Sequence, residues 1–131
     1  MNPDVMTIRD MCAAFDVTPR TLRFYEAKEL LFPIREGTRR LFTKRDRARL
    51  KLILRGKRFG ISLEDIRQLL DLYSHEGGEE EQLRRSYAIA QDRLAQMEAE
   101  RDEMDTAIAE LKAQMAWGQE ALSTLRRTAA E

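Results

Sequence analysis

Apolar residues recur at helical spacing from the start of the chain. Ile8, Met11, Cys12 and Phe15 fall at i, i+3, i+4 and i+7, one face of a short helix. Thr7 followed by Asp10 forms a capping box, in which hydroxyl and carboxylate satisfy each other's backbone amides. This helix is expected to stop near Asp16 and Val17. Thr18 then supplies a second N-cap, and Pro19 takes the first helical position, where its missing N–H costs nothing. Leu22 and Tyr25 face inward, and the run ends with Leu30, Leu31 and Phe32 ahead of Pro33. Two short helices joined by about three residues make a helix-turn-helix. Residues 34–42 lack that period and centre on Gly37, which predicts a small hairpin with Arg39 and Arg40 at its tip. Thr43 with Asp46 opens a third helix over 44–58, with Ala48, Leu50, Ile53 and Leu54 inside and Gly60 ending it. Ser62 with Asp65 opens a fourth, whose inner face is Ile66, Leu69, Leu70 and Tyr73. Residues 74–80, with Gly77 and Gly78, read as a linker or hinge.

The longest pattern follows. Leu83, Tyr87, Ala90, Leu94, Met97, Arg101, Met104, Ile108, Leu111, Met115, Gly118, Leu122 and Leu125 keep steps of four and three without slippage. Only Arg101 and Gly118 among them are not apolar. A repeat of 3.5 residues held this long is a coiled-coil seam rather than an ordinary amphipathic face. A helix over 81–127 would be roughly 70 Å long, at 1.5 Å per residue. The preceding 73 residues are too few to cover its stripe, so a second copy is expected to do so. Leu83, Tyr87, Leu94, Met97, Met104, Ile108, Leu111 and Met115 are the expected dimerisation residues of this homodimer. The register alone leaves parallel and antiparallel pairing open.

Charge sharpens the division. The chain carries 23 basic and 23 acidic residues, net zero. Residues 1–73 hold 16 basic against 10 acidic, whereas residues 74–131 hold 7 against 13. Within 18–58 the balance is 14 to 4. A basic block of this density suits a polyanion, because phosphate contacts release counterions; a merely solvated basic face is the alternative. No window approaches the ~20 apolar residues of a membrane span, so no membrane partner is expected. The first residues lack the basic and apolar regions of a secretory signal. With a single cysteine, Cys12, the expected compartment is the reducing cytoplasm.

Catalytic chemistry has little to work with. His75, the one histidine, falls in the linker, and Cys12 lies on an apolar helix face, where a small core residue is the simpler role. Structural zinc wants four Cys or His ligands. Neither a phosphate-binding Gly-x-x-x-x-Gly-Lys loop nor a Gly-x-Gly-x-x-Gly turn is present. The expectation is no enzyme, no cofactor and no metal. The helix-turn-helix accounts for the basic block instead. A recognition helix in the major groove offers its N-terminal residues to base edges, here Thr18, Arg20 and Thr21. Arg23, and Tyr25 if its hydroxyl emerges, would meet phosphates further along, and Arg39 and Arg40 would act as a wing on the adjacent backbone.

Thr-Pro-Arg-Thr-Leu-Arg-Phe-Tyr-Glu at 18–26, Leu30-Leu31, Gly-Thr-Arg-Arg-Leu-Phe-Thr at 37–43 with Asp46, and Leu-Lys-Leu-Ile-Leu-Arg-Gly-Lys-Arg-Phe-Gly-Ile-Ser-Leu-Glu-Asp-Ile at 50–66 resemble the MerR family of bacterial transcription regulators. The likeness runs over about residues 6–73. Its Arg-Gly-Lys-Arg stretch is most similar to the LiuR-like branch, associated with branched-chain amino-acid and acyl-CoA catabolism. The resemblance implies a mainly α fold: a winged helix-turn-helix with a small β-hairpin wing, two further helices, and a long antiparallel dimerising coiled-coil helix. It implies double-stranded promoter DNA as partner, at a palindromic operator whose overlong spacer is bent and untwisted, and RNA polymerase beside it. By position it sets Arg20, Arg23 and Tyr25 on the recognition helix and Arg40 on the wing, while Phe42 stands where many members have Tyr. Metal-sensing members carry cysteines near the end of the dimer helix. This chain has none there, so metal sensing is not implied.

The expected organisation is a DNA-binding domain over 1–73, a linker over 74–80, a dimerisation helix over 81–127 and a tail over 128–131. The expected function is a homodimeric, sequence-specific transcription regulator. The alternative is an architectural or scaffolding coiled-coil protein whose basic head docks on nucleic acid. A small-molecule effector of unknown identity, or a protein partner, would bind at the Gly77-Gly78 hinge or beside Trp117, the only tryptophan.

Overall fold

Helix starts follow the capping residues, in a computed structural model that describes residues 4–73 and 79–130. Both bonds of the box are made at Thr7, ahead of α1 (Ile8–Phe15), and at Thr43, ahead of α3 (Lys44–Arg58). Thr18 caps α2 (Pro19–Ala27), and the Ser62 hydroxyl accepts the Asp65 amide at the head of α4 (Leu63–Tyr73). Between α2 and α3 lies the hairpin of β2 (Ile34–Glu36) and β3 (Arg39–Phe42). Its two-residue loop has positive φ at Gly37 alone, as a turn with glycine at its first central position requires. The chain is mainly α-helical with a small β wing, consistent with a winged helix-turn-helix.

The sequence pattern missed one strand. Met6–Thr7, here β1, pairs antiparallel with β3 to make a three-stranded sheet in the order β1-β3-β2. Two residues carry no readable alternation, and Thr7 doubles as the cap of α1. The sheet and α1–α4 enclose a core of Met11, Leu22, Tyr25, Leu30, Leu31, Phe42, Leu50, Ile53, Ile66 and Leu70.

Two local expectations need correcting. The second helix does not run on to Phe32: it ends at Ala27, and Glu29 turns left-handed at φ 59°. The Leu30 amide then donates to the Tyr25 carbonyl and the Glu29 amide to the Glu26 carbonyl, the paired bonds of a Schellman ending. Leu30 and Leu31 reach the core from this loop rather than from a helix. On α3, Ala48 is exposed, and Arg49 and Asp46 are buried. The Arg49 Nε donates to the Leu30 carbonyl at 2.7 Å, and the guanidinium stacks 5.3 Å from the Phe32 ring centroid. The Asp46 carboxylate accepts from the Phe32 amide at 2.9 Å besides closing its capping box. Both buried charges hold the 30–33 loop onto α3.

The described chain divides into two compact units, with the boundary after Ala90. α5 (Glu79–Ala130) is a 52-residue helix, longer at both ends than the expected 81–127. Residues 79 and 80 are therefore helix rather than linker, and residues 128–130 continue the helix rather than forming a tail. The expected hinge at Gly77-Gly78, with His75, lies outside the described residues, as does the Tyr73 side chain. No side chain on α5 is buried: Leu83, Tyr87, Leu94, Met97, Met104, Ile108, Leu111, Met115, Leu122 and Leu125 are all exposed. Among the described residues, no helix is long and apolar enough to cross a membrane.

Candidate nucleic-acid interface

Thr18 opens α2 in extended conformation, and its hydroxyl accepts the Thr21 amide at 3.1 Å. The two threonine hydroxyls also lie 2.9 Å apart, in hydrogen-bond contact with each other. Burial of Leu22 and Tyr25 on the inner face fixes the rotation of α2, which turns Arg20 and Arg23 outward. Among the described residues no carboxylate pairs with either guanidinium. Tyr25 does not share this exposure. Its side chain is 5% exposed within the core, and burial pushes the phenol above its ordinary value near 10, which keeps it neutral. A phosphate contact from its ring is at odds with that placement.

The wing is tied to α2 through one carboxylate. Glu26 accepts from Arg40 Nε at 2.8 Å and from Arg35 Nη1 at 3.2 Å. The Arg40 side chain is thereby three-quarters covered and partly committed, whereas Arg39 beside it is exposed. Phe42, at the other end of β3, is wholly buried and belongs to the core.

These elements frame an open groove of about 360 Å³, lined by Thr7, Ile8, Arg9, Arg23, Thr38, Arg39 and Arg40. Four arginines from α1, α2 and β3 converge on it, and among the described residues no acidic one lines it. Concave basic sites concentrate field and attract phosphate, and guanidinium forks match its geometry. Arg9 was not singled out by sequence reasoning. It precedes the helix-turn-helix in the chain, and only the pairing of β1 with β3 brings it beside the wing.

The seam residues and Trp117 are on α5, and the indole is 68% exposed. Burial, with Arg45 adding repulsion, lowers the Arg49 pKa from its ordinary value; Asp71 and Asp46 oppose the shift. Among the described residues, no three His, Cys, Asp or Glu side chains group as metal ligands.

A family model for the MerR helix-turn-helix regulatory proteins matches residues 6–72, and a second, for MerR DNA binding, matches residues 47–114. The HTH-type transcriptional regulator ZntR of Escherichia coli K12 is 37% identical over 94 residues, which cover 70% of this chain and 65% of ZntR. The chain thus spans about 65% of the length of the curated relatives it matches. Solved structures of other regulators are similar to this chain. HiNmlR, a MerR family regulator lacking the sensor domain and bound to promoter DNA, superposes with TM-score 0.60 at 25% identity, covering 77% of this chain and 79% of that one. PbrR691 from Ralstonia metallidurans CH34, in complex with lead(II), gives TM-score 0.61 at 32% identity over 81% and 82% of the two chains.

Proposed function

This chain belongs to the MerR family of helix-turn-helix regulatory proteins, and on that premise we propose that it is a cytoplasmic, homodimeric transcription regulator. It binds a palindromic promoter operator and distorts the spacer for RNA polymerase. Residues 1–73 form the DNA-binding head, and the seam of α5 joins two heads. The observation that carries this reading is the four-arginine groove beside the exposed outer face of α2. α2 enters the major groove, Arg20 reads a base edge, and the Thr18 and Thr21 hydroxyls brace the helix start beside it. Arg9, Arg23 and Arg39 bind phosphates on either side. Arg40 acts chiefly by holding the wing against Glu26, and Tyr25 supports the helix from within the core. HiNmlR, a relative bound to promoter DNA, supports the choice of partner. The lead(II) of PbrR691 is not carried over, since the one cysteine here, Cys12, sits on α1.

The Arg55-Gly56-Lys57-Arg58 stretch supports placement in the LiuR-like branch. A small organic effector or a protein partner then sets the activity, and exposed Trp117 is one place for it to bind.

A shift assay with operator and scrambled DNA over a salt series tests the function. Operator binding should exceed scrambled binding by about 10³-fold or more, and Arg20→Ala should flatten that preference at one base pair. Equal binding to both DNAs would overturn the regulator and leave the scaffolding reading in its place.

A further inference from the structure

The wing carries a like-charge pair across its two strands. Arg35 of β2 stands opposite Arg40 of β3 in the antiparallel register. Like charges directly opposite each other destabilise a ladder, so this pair calls for an anion between them. Glu26 supplies it from another element. Its Oε1 accepts from Arg40 Nε at 2.8 Å, and its two oxygens accept from Arg35 Nη1 at 3.2 and 3.3 Å. The position does not otherwise favour an acid. Glu26 lies in the last turn of α2, where the helix dipole prefers cations. Glutamine would escape that dipole and still accept a hydrogen bond from Arg40.

What the carboxylate does and an amide could not is cancel charge. Arg40 lines the arginine groove with its side chain 21% exposed, and Arg35 is 53% exposed. Both reach solvent on the wing, yet each commits a donor to Glu26. Among the described residues no carboxylate pairs with Arg23 or Arg39, which line the same groove as Arg40. The head therefore holds arginines open to phosphate beside arginines withheld from it, and Glu26 sorts the two. A phosphate presents the same charge in every sequence, so each arginine given to phosphate strengthens all DNA alike. Withholding two of them lowers that common contribution and leaves base reading by Arg20 a larger share of the affinity.

We infer that Glu26 is a positioning residue that limits the phosphate grip of the head. It keeps Arg35 and Arg40 on the protein, so that binding to DNA of any sequence stays weak and its salt dependence shallow. This deepens the DNA binding of the proposed function and rests on it.

Salt titrations of binding to a scrambled DNA duplex test this role. The slope of log K against log salt counts the phosphates neutralised, at about 0.9 for each. Glu26→Gln should steepen the slope by about 0.9 for each arginine released, and should raise affinity by about tenfold or more at about 50 mM salt. Glu26→Asp keeps the charge and should stay near the parent slope. Glu29→Gln removes the same charge from the exposed turn after α2, where among the described residues no cation pairs with it, and should leave the slope unchanged. Adding Arg35→Ala and Arg40→Ala to Glu26→Gln should bring the slope back to the parent value, because nothing is left to release. A parent slope in Glu26→Gln would mean that the carboxylate only braces the wing, and an equal gain in Glu29→Gln that it acts only through net charge; either overturns the inference. A further arm does not depend on how well Glu26→Gln folds. In the parent background Arg35→Ala should leave the slope in place, whereas a drop of about 0.9 would show that Arg35 already binds phosphate and that Glu26 withholds nothing. Equal binding of operator and scrambled DNA by the parent would overturn the regulator while the slopes still decide the role of Glu26, and failure to bind either DNA would overturn both.

Discussion

Adjacent arginines at the wing tip carry the same charge and have different work to do. The sequence marks both Arg39 and Arg40 as basic tip residues, and nothing in their spacing tells them apart. The distinction comes from Glu26, fourteen positions before Arg40, whose carboxylate holds the Arg40 Nε at 2.8 Å. Arg39→Ala is expected to lower affinity for operator and scrambled DNA alike and to reduce the salt slope by about 0.9, leaving the melting temperature unchanged. Arg40→Ala is expected to cost about 1 kcal/mol of folding stability, as loss of a largely covered charge-assisted bond does. Equal thermal shifts in the two variants would contradict this division. Tyr25 shows the same limit of sequence reading. Its inward-facing place on the helix is legible from the period, whereas the reach of its hydroxyl is not, because an amphipathic ring can bury its body and still present its tip. Burial raises its pKa, so the neutral phenol stabilises the fold fully below pH ~10, and that contribution is lost as pH climbs through the raised value. Tyr25→Phe should therefore lose less stability than the parent between pH 9 and about 11 in urea titrations. Identical alkaline slopes would show that Tyr25 does not titrate from the core.

At the scale of elements, starts were far more legible than ends. Thr7, Thr18, Thr43 and Ser62 each announce a helix because a short side-chain acceptor before an apolar period has one economical use. The end of α2 carries no such mark, since its left-handed residue is Glu29 rather than glycine, and the Leu30-Leu31 pair that follows looks helical until it is seen packed from a loop. The junction of α3 with α4 hides a similar constraint. Gly56 lies in the last turn of α3, where alanine would favour the helix by at most about 1 kcal/mol. A Cβ there would stand 2.9 Å from both Ile66 Cγ1 and Cδ1, on the buried side of α4. Overpacking of that kind costs about 1–3 kcal/mol, so steric conflict should outweigh propensity. Gly56→Ala is expected to destabilise the chain. Ile66→Val, which removes Cδ1, should make the double variant more stable than the sum of the single losses allows. A Gly56→Ala variant more stable than the parent would mean that α4 yields at this contact.

For the whole molecule, what the sequence shows best is the long apolar seam of α5. The ten large apolar side chains of the α5 seam, from Leu83 to Leu125, are exposed, and their 3.5-residue repeat is plain in the sequence. The arginine groove, by contrast, needed three elements to come together, so Arg9 was missed while the seam was not. Charge divides along the same line, basic in the head and acidic in the long helix, which suits the proposed assignment of DNA to the first and self-association to the second. The proposed palindromic operator would couple the two tasks, because each half-site would engage one head and a single head would forfeit the contacts of the other. Leu94→Asp tests that coupling without touching the head. In a dimer it would bury two carboxylates against apolar neighbours, a penalty of several kcal/mol per ion, whereas in a monomer both stay in water. Sedimentation at micromolar concentration should give a monomer, circular dichroism should retain the signal of the folded head, and operator affinity should fall by at least 100-fold. Ile108→Asp should behave alike. If either variant remained dimeric, the seam would not be the interface. If monomers bound the operator as tightly as the parent, recognition would not depend on pairing, and the long helix would need another purpose.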